Sequence, residues 1–501
     1  MSAADGRYDV LVVGGGINGT GIARDAAGRG LSVLLCEQDD LAAHTSSAST
    51  KLIHGGLRYL EDLHVGLVRK ALKEREVLLG AAPHIMRPLR FVMPHDSHLR
   101  PAWMIRAGLF LYDNLARRRR LAGSAAVDLH RHIAGTPLFP KYHRGFIYSD
   151  GWADDARLVV LNAMDAVEHG ATVLTRTRCE RIEQQDGGWL ATLASSAGRR
   201  FVSARVVVNA AGPWVSRFVV ESTPIEAARS VRLVKGSHIV VPQIFAHRFA
   251  YIFQNLDRRI VFAIPYEHHF TLIGTTDVDV TDEGGAARIS PEEVRYLCDV
   301  VNRYFVQQTR PEEVVWSYSG VRPLLDDESR NPSSVTRDYA LELDRRPAPL
   351  LSVFGGKITT YRKLSEDAVN QLVPLLGSRA EPWTRDASLP GGDFPRGSFA
   401  KLLRVVERRF PWLPTPVRQR YAQAYGSRID RVVGSAHSLA EMGEELLPGL
   451  YEREVAYLCR EEFARAVDDV LWRRTKLGLH VPPNTDTSRL EQSISKCCAR
   501  E

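Results

Sequence analysis

The sequence predicts a mixed α/β and α+β protein: a discontinuous Rossmann-like domain, a β-rich cap domain inserted between its pieces, and a C-terminal helical domain. Three observations predict it. A strand–glycine–helix–strand–acid unit opens the chain, a second strand–glycine–helix element returns near residue 350, and the stretch between them is rich in β-like runs. Beyond the second element the periodicity turns helical.

The first unit runs from Tyr8 through the glycine cluster Gly14, Gly15, Gly16, Gly19 and Gly21 to Glu37, which closes the apolar run Leu31 to Cys36. Gly14 permits the tight turn after the first strand. Gly16 lets backbone approach a pyrophosphate, and Gly19 lets the helix pack against the strand. The helix start offers free N–H groups and partial positive charge to phosphates. Glu37 is placed to hold a ribose through its hydroxyls. This is the order a dinucleotide site needs.

A hydroxyl-rich loop follows, Thr45 to Tyr59, and leads into a helix over 61–80. Prolines, histidines and short β-like runs alternate from Pro83 to Pro101. An apolar segment from Trp103 to Leu115 is closed by four arginines, Arg117 to Arg120. Residues 156–170 read as helix, and 171–210 as strands ending at Asn209 to Trp214. The stretch 231–325 alternates as strands do, and Leu350 to Tyr361 repeats the strand–glycine–helix pattern. The expected division assigns 7–90, 150–230 and 326–380 to the Rossmann-like domain. It assigns 91–149 to a cap or membrane-contact segment, 231–325 to the substrate or cap domain, and 385–490 to the helical domain. The second glycine pair, Gly355 and Gly356, gives a further close backbone approach. Two such approaches suit a long flavin dinucleotide better than a nicotinamide one.

Composition narrows the class. With 44% hydrophobic and 25% charged residues over 501 positions the chain reads as globular. No run reaches the roughly 18 apolar residues of a membrane span, and the first residues lack the apolar core of a signal peptide. A cytoplasmic location is expected. The six cysteines are scattered without a C-x-x-C pair, so neither a metal nor a disulfide framework is expected. The formal charge of +7 implies an anionic partner. Without zinc-finger spacing or an aromatic RNA-binding motif, nucleic acid is not the expected one.

The segments GGGINGTG, TSSASTKLIHGGLRYL, EREVLL, RPAWMIRAGLFLYD, NAAGPW, KGSHIVV, IGTTD, YSGVRPL, SVFGGKITTYRKL and DDVLWRRTK, in this order, span nearly the whole chain. Together they resemble the FAD-dependent glycerol-3-phosphate dehydrogenases of the aerobic, respiratory type. The resemblance implies FAD as cofactor and oxidation of sn-glycerol 3-phosphate to dihydroxyacetone phosphate, with electrons passed to a membrane quinone. A glycerol-3-phosphate oxidase using oxygen, an amino-acid-type flavin oxidase and a catalytically silent dinucleotide-binding scaffold are the rivals.

The resemblance also selects residues. A substrate phosphate needs fixed cations, and it points to Arg58, Arg322 and Lys357. Arg322 could instead lie over the reacting alcohol, and the sequence does not divide these roles. Tyr59 and Thr275 are candidates for bonds to substrate oxygens. The hydroxyl proton needs a base, for which His54 and His238 are the candidates. Beyond Gly14, Gly16, Gly19 and Glu37, the expected flavin contacts are Ser46, Ser47, Thr50, Lys51, Ala211, Gly212, Gly355 and Gly356. The 103–120 segment is expected to rest on an anionic inner-leaflet lipid surface, making the protein peripheral to the cytoplasmic membrane. The helical tail reads as a packing or homodimer-contact module.

Overall fold

A computed structural model describes residues 6–60, 64–96, 100–225, 229–255, 257, 259–280, 287–325, 338–394 and 399–499. Its first sheet carries the Rossmann-like unit. β1 (Arg7–Val13) lies in the middle, parallel to β2 (Val33–Cys36) on one side and to the end of Gly198–Asn209 on the other. Leu350–Gly355 continues the parallel order and Thr172–Leu174 closes the far edge. These strands are continuous Val/Leu runs because helices cover the sheet. α1 (Ile17–Gly28) is buried on nearly every side and contains five alanines and glycines between Gly19 and Ala27 alone. Small residues are required there: a Cβ at Gly21 would lie 2.5 Å from Ser365 Oγ, and one at Gly28 only 2.1 Å from the Trp383 ring.

The second sheet is almost wholly antiparallel. Its order runs Val278–Asp279, Val231–Pro242, Phe270–Gly274, Ile260–Tyr266, Ala250–Gln254, Met86–Pro94, Arg144–Ala153, Leu52–Ile53, with Trp316–Leu325 paired along Val231–Pro242. This corrects the predicted division in one respect. Leu52–Ile53, from inside 7–90, joins the cap sheet, as do Met86–Pro94 and Arg144–Ala153, which straddle its boundaries, since strand partnership is set by contacts distant in sequence. The helix predicted over 61–80 is α2 (Val65–Ala81), with residues 61–63 outside the described part. The third Rossmann segment likewise begins outside it, at 326–337. The apolar segment before the arginines forms α3 (Ala102–Asn114), and the helix read over 156–170 is α4 (Asp155–Glu168).

From Phe399 onward the chain is mainly helical, with a small hairpin at Glu445–Leu447 and Leu450–Tyr451. These helices share one hydrophobic core with the first sheet: Val10, Ile22 and Leu35 belong to the same buried cluster as Tyr421, Val455 and Ile494. The seam between them also holds buried ion pairs, among them Arg157 with Glu462. Among the described residues no helix is long and apolar enough to cross a membrane.

Candidate active site

A cavity of about 530 Å³ opens between the two sheets, at the carboxyl ends of the parallel strands, where open α/β sheets bind ligands. The turn after β1 forms its first wall. Gly14 has φ +112°, a conformation that only glycine adopts freely, and its N–H donates to Cys36 O at 2.9 Å. A Cβ at Gly19 would sit 1.9 Å from Gly14 O, so glycine alone allows α1 to start so near the strand. Gly16 is the residue before the helix. Ile17 N–H donates to Ser46 Oγ at 3.0 Å, which brings the hydroxyl-rich loop to the helix start.

Glu37 lies at the end of β2 with its carboxylate accepting from Gly15 N at 2.6 Å and Asp39 N at 2.9 Å. Burial raises its carboxyl above the ordinary range, and those two N–H groups oppose the rise. Ala211 and Gly212 line the cavity after Gly198–Asn209; Gly212 has φ +60° and a Cβ there would meet no atom within 4 Å. Gly355 and Gly356, at φ +70° and +95°, line the opposite side. Asn18 Nδ2 donates to Gly355 O at 3.2 Å, joining the two glycine turns across 337 residues.

The cap sheet supplies the other half. Ile252, Ile260 and Phe262 give an apolar wall, and Thr275, Asp277 and Arg322 give a polar one. The Arg322 guanidinium donates through Nη1 to Asp277 and through Nη2 to Thr275 Oγ1 at 3.1 Å. Gly236 leaves room for it, since a Cβ there would lie 2.3 Å from Nη2. Arg58, Tyr59 and Lys357 line the same cavity. The ammonium of Lys357 stands 3.8 Å from the Tyr59 ring centroid, a cation–π distance. His54 also lines the cavity and its backbone N–H donates to Thr359 Oγ1 at 3.1 Å.

Four sequence-predicted residues do not line this cavity; Gly19, the first, sits behind the turn with its Cα against Gly14 O. Ser47 faces the outer side of its loop, with its hydroxyl on His44 O at 3.3 Å. Lys51 is buried, its ammonium 2.8 Å from Asp155 and 3.0 Å from Ser47 O, so its charge is spent on anchoring the loop. His238 is fully buried behind Thr50, which lines the cavity and lies 2.9 Å from His238 Nε2. Burial, with the charges of Arg322 and Lys51, pushes the His238 pKa far below the usual imidazole range. The ring reaches the cavity through the threonine.

The structure also adds residues that the motifs did not single out. Asp277 lay within IGTTD and could have been weighed there. Tyr112 lay within RPAWMIRAGLFLYD without being singled out: from α3 its hydroxyl accepts from Gly55 N at 2.9 Å and donates to the buried Asp150, which Arg75 also grips. That triad fixes the glycine turn bearing His54, Arg58 and Tyr59.

Two glycine turns, a buried acid and open space over Gly212 fit an extended dinucleotide, and the comparisons give its kind. Residues 9–362 match the model of the FAD dependent oxidoreductases, and residues 382–488 match that of the C-terminal domain of alpha-glycerophosphate oxidase. The chain is therefore an FAD-dependent oxidoreductase. Within that class it belongs to the FAD-dependent glycerol-3-phosphate dehydrogenase family. It is 54% identical to a glycerol-3-phosphate dehydrogenase of Pseudomonas aeruginosa over 95% of this chain and 93% of the relative. It is 49% identical to a D-erythritol 1-phosphate dehydrogenase of Brucella abortus, covering 94% and 95%. The structure of the glycerol-3-phosphate dehydrogenase from Bacillus halodurans complexed with FAD superposes with a TM-score of 0.77 at 28% identity, covering 99% of this chain and 90% of that one.

Proposed function

We propose that the protein oxidises sn-glycerol 3-phosphate to dihydroxyacetone phosphate and passes the electrons to a membrane quinone. One observation carries the substrate class: Arg58, Arg322 and Lys357 line the cavity that the glycine turns build for the dinucleotide. A phosphorylated polyol supplies the anion such groups bind, at about 1.5–3 kcal/mol per charge-assisted hydrogen bond. Arg58 and Lys357 hold the phosphate. Arg322, aimed by Asp277 and Thr275, lies over the reacting secondary alcohol and stabilises the oxygen as its proton leaves. His54 takes that proton, and Tyr59 orients the polyol. Bound FAD supplies the acceptor for the hydride that leaves the substrate carbon.

The place of action in this reading is the cytoplasmic membrane face. α3 exposes Trp103, Met104, Phe110 and Leu111, with Trp103 at 70% and Phe110 at 64%. The spacing i, i+1, i+7, i+8 puts them on one face, and Arg117 to Arg120 follow. Such a helix rests in a lipid interface while its arginines meet anionic headgroups.

The similarity to a D-erythritol 1-phosphate dehydrogenase makes a four-carbon polyol phosphate the competing substrate. Anaerobic mixing of the flavin-loaded protein with each substrate separates them. The expected result is rapid bleaching of the flavin band by sn-glycerol 3-phosphate, reversed by a soluble quinone analogue. Faster bleaching by D-erythritol 1-phosphate would reassign the substrate, and reversal by oxygen alone would make the enzyme an oxidase.

A further inference from the structure

The loop from Glu37 to His44 has two faces. Glu37, Gln38, Ala42, Ala43 and His44 line the cofactor cavity. Asp40 points the other way, 2% exposed, into the helical domain. There its two carboxylate oxygens are gripped by the paired nitrogens of Arg474, and Nε of Arg473 donates to one of them. Burial alone would raise the Asp40 carboxyl; the two arginines outweigh it and hold it below the ordinary range.

The grip is braced on both sides. Arg474 also donates to Glu462 O, at 3.1 Å from Nε, so its plane is fixed within the helical domain. Arg473 also pairs with Asp469, which accepts from Arg176 Nη2 at 2.8 Å. Arg176 returns to the loop, its N–H donating to Asp39 O at 2.9 Å, and Thr177 N–H donates to Glu37 O at 2.7 Å. Asp469 to Arg474 form a single π-helical stretch, a backbone irregularity that recurs at functional positions. Here it presents two successive arginines to one carboxylate.

We propose that the C-terminal helical domain clamps the adenosine end of the FAD site, with Arg473 and Arg474 as positioning residues that hold the Glu37–His44 loop through Asp40. The clamp sets how tightly the dinucleotide is retained and leaves the substrate end of the cavity untouched. The helical domain thereby gains a role in cofactor binding without contributing a residue to the cavity wall through these arginines.

The test compares three variants of the full chain: Asp40→Asn, Arg473→Gln and, as a control, Glu462→Gln. The Glu462 carboxylate pairs with Arg157 across the same domain seam, whereas Arg474 is held by the Glu462 backbone carbonyl, which the substitution keeps. Each is stripped of flavin and titrated with FAD, following flavin fluorescence, with folding monitored by circular dichroism. Asp40→Asn and Arg473→Gln are expected to raise the FAD Kd about tenfold or more. The KM for sn-glycerol 3-phosphate at saturating FAD should stay unchanged. Glu462→Gln should lower Tm with little change in FAD Kd. Arg473→Gln keeps the paired Arg474–Asp40 contact, so it reports even if Asp40→Asn fails to fold. An unchanged FAD Kd in a folded Arg473→Gln protein, or an equal rise in Glu462→Gln, overturns the clamp.

Discussion

Asp277 and Arg322 are partners across the polar wall of the cavity: the carboxylate takes one terminal nitrogen of the guanidinium, leaving Thr275 to take the other at 3.1 Å. A fork held at both tips presents its remaining N–H groups in a fixed plane. Lysine has the charge but not the plane. Arg322→Lys is expected to lower kcat/KM about 10- to 100-fold, the loss of one charge-assisted hydrogen bond, with FAD content unchanged. Asp277→Asn should give a smaller loss, because the arginine remains but is less firmly aimed. Steady-state kinetics beside flavin quantification checks both.

His54 and His238 make opposite predictions. His54 lines the cavity, whereas His238 stands behind Thr50. His54→Gln is expected to cut turnover far more than flavin content and to flatten the pH–rate profile. His238→Gln should retain the pH limb, since its ring stands behind Thr50 and burial holds its pKa well below the ordinary imidazole range. Wild-type turnover in His54→Gln would remove it as the base.

His84 gives a stability prediction. It is buried near Arg157 and Arg428 at the domain seam, and neither ring nitrogen has a partner among the described residues. Burial first, then those two arginines, push its pKa from 6.5 down to about 3. The unfolded chain therefore binds a proton at higher pH than the folded one. The contribution is fully present above pH 6.5 and is lost as pH falls toward 3, at up to about 1.4 kcal/mol per pH unit. His84→Leu removes no hydrogen bond and should lessen this acid slope. Denaturant midpoints of both proteins at several pH values between 7 and 4, on the order of the window above, provide the measurement.

The α3 face predicts vesicle binding. Fully burying a large apolar side chain contributes about 1.5–3 kcal/mol, and each arginine near an anionic surface about 1 kcal/mol. Trp103→Glu with Phe110→Glu is expected to abolish sedimentation with anionic vesicles while leaving turnover with a soluble acceptor intact. High salt should release the wild-type protein only in part. Complete release by salt would assign the contact to charge alone.

The glycine turn that forms the first wall of the cavity was legible because its determinants are local: Gly14, Gly16, Gly19 and Glu37 lie within one βαβ unit. The cap half was less so. Nothing near Met86 or Arg144 says which sheet a strand will join, and those segments entered the second sheet through partners across the chain. Lys51 looked like a flavin contact because its own loop is polar; its carboxylate partner, Asp155, is 104 positions away. Tyr112 reaches Gly55 over 57 residues from a helix whose sequence advertises only its outer face.

The common core of the first sheet and the helical tail changes what counts as an exchangeable part. A tail grafted from a relative would meet a foreign surface at Asp40, Arg157 and Glu168, whose partners here are Arg473 and Arg474, Glu462, and Arg428. A chimera that moves residues beyond 382 alone would strand the buried charges of Asp40 and Arg157, at a cost of about 3–5 kcal/mol for each of these two sites, whereas the loss at the exposed Glu168 is small. The inherited unit is the tail together with its receptor positions, so recombination at the apparent boundary is tolerated only between parents that share those pairs.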